Sequence, residues 1–171
     1  MQIHELSARE CHEVLNHATI ARLATAQENQ PYVVPIHVYF DGADLYSFAT
    51  LGRKIDWMRA NPKVCVEVED VIDRFHWRTV VVLGRYDELV DAPAYEKFRR
   101  RAHALFQNRP EWWQPAATHI DQPDFRMPVI YRIAIDHITG RLALDDGQGR
   151  ADRATPRWLD LMFETERDSD G

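Results

Sequence analysis

The chain has only two cysteines, Cys11 and Cys65, in 171 residues, and neither lies in a CxxC pair or a metal-ligand spacing. A disulfide scaffold and a cysteine–zinc site are thereby excluded, leaving two free thiols, Cys65 being read as a buried strand residue. Long apolar runs are also missing. The N-terminal stretch MQIHELSARECHEVL carries acidic residues where a signal peptide or membrane span would be apolar, so a cytoplasmic protein with no membrane partner is expected. Neither GxGxxG nor GxxxxGK occurs, which excludes phosphate binding in the Rossmann or P-loop manner. Surplus positive charge is lacking as well: the formal net charge is -6, and nucleic acid is not an expected partner because phosphate backbones are held by excess Lys and Arg. The basic run Lys97-Phe98-Arg99-Arg100-Arg101 reads as one face of a helix. Eight histidines are present, yet none falls in an HxxxH or HExxH arrangement, so no metal site is expected.

The remainder is the composition of an ordinary folded domain, with 45% hydrophobic and 28% charged residues. The length suits one core. Ser7, with Glu10 three residues on, forms a capping box opening a helix over 7–16. Strands are expected at Ile20–Ala26, Tyr32–Phe40, Asp44–Thr50, Lys63–Asp70, Trp77–Val90 and Val129–His137, the last ending before Thr139-Gly140. Gln27–Gln30 and Asp41-Gly42 supply turns. Pro35 cannot donate to a ladder, which places it on an edge or at a bulge, and Gly84 marks a bend in the long fifth strand. Helices are expected at Arg53–Ala60, closed by Asn61-Pro62, and at Ala92–Phe106. Residues 108–128 read as an ordered Pro- and Trp-rich loop in which Trp112 and Trp113 either pack or line a pocket. Six strands joined mostly by short turns predict a mainly β protein with flanking helices, an antiparallel barrel and not a doubly wound sheet. The domain is expected to span 1–144, with the first helix as an N-terminal extension, and 145–171 to form a polar tail containing a short helical segment.

The chemistry concentrates in Leu45–Pro62, LYSFATLGRKIDWMRANP. A strand runs through a glycine turn into a helix whose first residues are Arg53 and Lys54. Isolated, an Arg-Lys dipeptide is ordinarily a solvated surface pair. At a helix start, free N–H groups and the helix dipole make the same two cations a phosphate anchor.

Several segments occur together in a familiar order: ARLAT (21–25), YVVPIHVYF (32–40), LYSFAT with GRK (45–54), ANPKVCVEVE (60–69), WRTVVVLG (77–84) and YRIAIDHITGR (131–141). The set resembles the flavin-binding split-barrel proteins of the pyridoxamine 5'-phosphate oxidase-like superfamily, in the branch related to nitroimidazole-resistance reductases. The resemblance implies a six-stranded antiparallel split β-barrel of the FMN-binding type, forming a homodimer with FMN in the groove between subunits. It implies that Arg53 and Lys54 hold the FMN phosphate and that Thr79, with Trp77 nearby, lies close to the same cofactor. Val34, Pro35, Ile36 and His37 match the strand beneath the flavin ring; Phe48, Ala49 and Thr50 match the strand end beside the isoalloxazine and ribityl chain. His37 has two readings, facing the ring or substrate, or facing core or solvent. The implied activity is an FMN-dependent oxidoreductase acting on a small molecule, with NAD(P)H as electron donor. Alternatives are a deazaflavin- or haem-binding member and a non-enzymatic flavin-binding or sensor module. No side chain is assigned a catalytic role. Ser47 stands where the nitroimidazole-resistance branch often has histidine, which argues against a mechanism needing that residue. No histidine follows His137, so the arginine–histidine signature of the true pyridoxamine phosphate oxidases is missing and that oxidation is not expected.

Overall fold

A computed structural model describes residues 1–107 and 128–144. The Trp112–Trp113 loop and the tail after residue 144 lie outside the described residues. Among the described residues, eight strands form one antiparallel sheet: β1 (Gln2–Glu5), β2 (Ile20–Gln27), β3 (Gln30–His37), β4 (Tyr39–Phe40), β5 (Asp44–Ala49), β6 (Lys63–Val71), β7 (Trp77–Glu88) and β8 (Val129–Leu144). The helices are α1 (Ala8–His17), α2 (Arg53–Ala60) and α3 (Glu96–Gln107), the last preceded by a 3₁₀ turn at Pro93–Tyr95. The sheet order is β3-β2-β6-β7-β8-β5-β4, with β1 also on β8. Strands β3 and β4 stand at opposite ends of that path yet are separated in sequence by Val38 alone, so the chain itself closes the curl. This is the split-barrel architecture. No helix among the described residues is long and apolar enough to cross a membrane.

Local chemistry accounts for most elements. Ser7 caps α1: its Oγ accepts from the Glu10 amide at 3.3 Å, and Glu10 accepts from the Ser7 amide at 2.7 Å. Glu28 and Asn29 both have positive φ (50° and 63°), the requirement of the two-residue turn that joins β2 to β3 with the correct twist. Val64, Val66 and Val68 of β6 all point into the core, as their alternation predicts. Pro35 is on the edge strand β3, opposite Arg22. At Gly84 the β7–β8 register shifts; an added Cβ would lie 2.5 Å from the Ala134 carbonyl oxygen, so only glycine permits this approach.

The count of eight corrects the expected six. The stretch 32–40 breaks at Val38, because the chain there leaves β2 and turns onto β5. β1 is polar and exposed and has no apolar pattern to announce it; it is held by pairing Gln2–Glu5 against Arg141–Leu144. The last strand does not stop before Thr139-Gly140 but runs to Leu144. Gly140 serves close packing and not a turn: a Cβ there would come within 2.7 Å of Cys11 Sγ and 2.9 Å of Leu6 Cδ1. The expected helix at 92–106 divides into the 3₁₀ turn and α3.

Among the described residues, two clusters make up the core. The larger fills the barrel, where Leu23, Val66, Val80 and Ile133 meet Val14 and Leu15 of α1 and Ile55 and Met58 of α2. A smaller cluster lies outside it, where Ala102 and Phe106 of α3 cover Tyr39, Tyr46 and Leu89.

Candidate functional site

Helix α2 is seated firmly. Ile55 and Met58 are fully buried, Asn61 Nδ2 donates to the Ala26 carbonyl at 2.9 Å, and the Tyr86 amide donates to the Pro62 carbonyl at 2.8 Å. Its first turn is left open. Gly52 provides no side-chain cap, and the Ile55 and Asp56 amides both donate to its carbonyl. The amides of Arg53 and Lys54 make no hydrogen bond among the described residues.

The charges on this helix are distributed oddly for stability alone. Arg59, in the last turn, is neutralised by Glu88 through two contacts of 2.8 Å, with the Tyr86 hydroxyl donating to the same carboxylate. Arg53 and Lys54, in the first turn, have no carboxylate partner among the described residues. Cations at a helix N-terminus oppose the macrodipole. Lys54 is moreover half-buried, and burial draws its amine below the usual lysine range. Arg53 instead rests over an aromatic face, its Cζ 5.5 Å from the centre of the Tyr32 ring. Trp57, four residues on, meets the same ring with centroids 5.4 Å apart. This arrangement opposes folding electrostatically and offers two cations and two free amides to an anion.

The other residues singled out from sequence fall in three places. Thr50 is exposed at the turn leading to Arg53. Pro35 and His37 of β3, and Trp77 and Thr79 of β7, lie on the outer face of the sheet, in phase with Arg22 and Ile20 of β2 and with Val71 and Glu69 of β6. Val34, Ile36 and Ala49 point into the barrel core. Phe48 faces the other way and packs edge-on against Phe106 of α3 at 5.2 Å. A cleft of about 370 Å³ adjoins the outer-face group, lined by His17, Ile20, Arg22, Glu69, Asp70 and Arg78 among others. Within it Arg78, only 7% exposed, donates to Asp70 at 2.8 Å, and Arg22 contacts Glu69 at 2.5 Å. Glu67, beside them, is pushed above the usual carboxylate range by burial and by Glu69. Burial likewise lowers the His37 imidazole, favouring its neutral form. No cluster of metal-ligating side chains occurs among the described residues.

Tyr32 and Trp57 escaped the sequence reading. Trp57 stands at i+4 from Arg53 and so shares its helix face, a spacing visible in the sequence. That Tyr32 meets them depends on the β2–β3 register and could not be seen there.

The pyridoxamine 5'-phosphate oxidase family model matches residues 7–142. The chain belongs to the pyridoxamine 5'-phosphate oxidase-like family. An uncharacterized protein of Rhizobium meliloti is 35% identical over 146 residues, covering 84% of this chain and 97% of the relative. Among solved structures, a FAD-binding protein of Mesorhizobium loti is 38% identical, with 85% of this chain and 99% of that one covered and a TM-score of 0.69. A FAD-binding protein of Mycobacterium smegmatis is 22% identical over 81% of this chain and 98% of that one, with a TM-score of 0.59. A proposed 5-nitroimidazole antibiotic resistance protein of Bacteroides thetaiotaomicron, 15% identical over 83% of this chain and 89% of its own, has a TM-score of 0.58 and shares the fold. The family's split barrel is thus present.

Proposed function

We propose that this protein binds a flavin nucleotide, its phosphate held by Arg53 and Lys54 at the start of α2, and acts as an oxidoreductase on a small molecule. The observation that carries the reading is the half-buried Lys54 beside Arg53, both without a carboxylate partner among the described residues. The site fits the group chemically, since an anion there gains charge-assisted hydrogen bonds and relieves a cation pair at the wrong end of a helix. FMN is the simplest flavin for one phosphate subsite; the FAD-binding relatives favour a dinucleotide form on the same anchor. When bound, a flavin supplies hydride and single-electron chemistry that side chains lack, with NAD(P)H as the donor we propose.

We propose that a second copy of the chain completes the flavin groove. The outer face of the sheet presents Val33, Ile20 and Leu83, 58%, 54% and 48% exposed, next to the half-buried Val81 and Thr79. We assign this face to a homodimer interface, where Trp77, Thr79, Pro35 and His37 would help exclude water from the ring. The two unpaired cysteines suit the reducing cytoplasm.

The deciding experiment is the absorption spectrum of the protein as purified, followed by chromatography of the released chromophore and anaerobic addition of NADPH. A flavin spectrum bleached by NADPH and restored by an acceptor is expected. A deazaflavin or haem spectrum, or a colourless protein that takes up neither FMN nor FAD, would overturn the cofactor assignment; bound flavin that neither nicotinamide reduces would overturn the enzymatic part.

A further inference from the structure

The three-membered contact among Arg53, Tyr32 and Trp57 joins the anchor to the sheet. Arg53 and Trp57 project from one face of α2 at i and i+4, and Tyr32 comes from β3, where it is paired with Thr25. The Tyr32 ring touches both, with Arg53 Cζ 5.5 Å from its centre and the Trp57 ring tilted at 60° to it. Arg53 is exposed, so without this face its guanidinium would sample many rotamers and lose more freedom on gripping an anion.

We infer that Tyr32 is a positioning residue for the phosphate anchor: its ring holds the Arg53 guanidinium in place and so gives the site its preference for phosphorylated over unphosphorylated flavin. The inference rests on the flavin reading above and adds the element that sets phosphate specificity. Tyr32 touches Arg53, so the influence inferred for it falls on the phosphate. The phenol oxygen has no part in it, because the quadrupole of the ring face attracts the cation.

The test is titration of the full-length apoprotein with FMN and with riboflavin, for the wild type and for Y32F, Y32L and Y32A, with circular dichroism to check folding. Riboflavin lacks the phosphate and reports ring binding alone. Y32L and Y32A are expected to weaken FMN roughly two- to fivefold with riboflavin unchanged, as the loss of one cation–π contact to an exposed arginine implies. Y32F should match the wild type. Y32L retains apolar volume against Trp57, so it decides the matter should Y32A fail to fold. Equal weakening of both ligands in Y32L would make Tyr32 a general packing residue and overturn the inference. An undiminished preference for FMN would overturn it too, leaving the anchor intact. A wild type that binds riboflavin as tightly as FMN would overturn the anchor itself.

Discussion

Ser47 Oγ donates a 2.7 Å hydrogen bond to the carbonyl of His37. The bond sits at the corner where the barrel closes: the Val38 amide still donates to Thr19 beside β2, whereas Tyr39 already pairs with Tyr46 of β5. Between these partners the ladder lapses, and the Ser47 hydroxyl replaces it. Ser47 is 1% exposed and stands opposite the fully buried Tyr131, so its work is structural. S47A is expected to destabilise the protein by about 1–2 kcal/mol, the effect of an unmet hydrogen bond in a buried place. Urea unfolding followed by fluorescence measures this; an unchanged midpoint would mean that the corner is held without the hydroxyl.

Gly84 offers a sharper stability test. Its missing Cβ would meet backbone, at 2.5 Å from the Ala134 oxygen, as well as Ile133 Cγ2 at 2.8 Å. A carbonyl in a strand cannot swing aside as a side-chain tip does. G84A should therefore cost about 1–3 kcal/mol through overpacking, seen as a lower thermal midpoint. A variant as stable as the wild type would show that the β7–β8 bulge can slide.

These two sites show how much the sequence could disclose. Gly84 was legible because a lone glycine in a β-branched run marks a bulge or a close backbone approach, and α2 was legible to its end residues because a glycine turn and Asn-Pro bracket it. The place of Arg53 and Lys54 at the start of that helix could be read for the same reason. The corner at Val38 could not, since its residues pair with two different strands and only the closed sheet decides which. Phe48 and Ala49 sit together at one strand end in the sequence; the alternation of faces puts Ala49 in the barrel and Phe48 under α3, whose position no local pattern specifies.

The carboxylates predict a pH dependence of two opposite signs. Glu88 is held below its ordinary range, chiefly by its hydrogen bond from Arg59 and also by the Tyr86 hydroxyl. A depressed folded value stabilises the protein above the unfolded value, and that contribution fades as pH falls through the folded one. E88Q should be destabilised at neutral pH and approach the wild type in acid. Glu67 is raised, first by burial, so the reverse holds: its charged form opposes folding. E67Q should be more stable than the wild type at neutral pH, the gain vanishing below about pH 4, where glutamate is protonated in both states. Urea midpoints of the three proteins across that range measure both trends, and parallel curves would refute the assignments.

Dimerisation makes its own prediction. Val33, Ala24, Cys65 and Leu83 form a cross-strand row on the outer face, and Leu83 is 48% exposed on the single chain. A carboxylate introduced there would be desolvated in an interface but harmless on a free surface. L83E should convert a dimer to a monomer in light scattering and release the flavin with it. A wild type that is monomeric at micromolar concentration, or an L83E dimer that keeps its flavin, would remove this face from the site.

The anchor itself is tested by removing both cations. Arg53 is exposed and Lys54 half-buried, while α2 is secured elsewhere by Ile55, Met58, Asn61 and the Arg59–Glu88 pair. Positive charge at a helix N-terminus is unfavourable, and alanine is the best helix former. The double variant R53A/K54A should therefore be as stable as the wild type or slightly more so. Its affinity for FMN should nevertheless fall by roughly two orders of magnitude, the combined loss of charge-assisted contacts to a phosphate. Opposite movements of stability and affinity would identify residues retained for a ligand at some expense to the fold. If affinity stays and stability drops, the two cations belong to the scaffold, and the phosphate must be held elsewhere on the barrel.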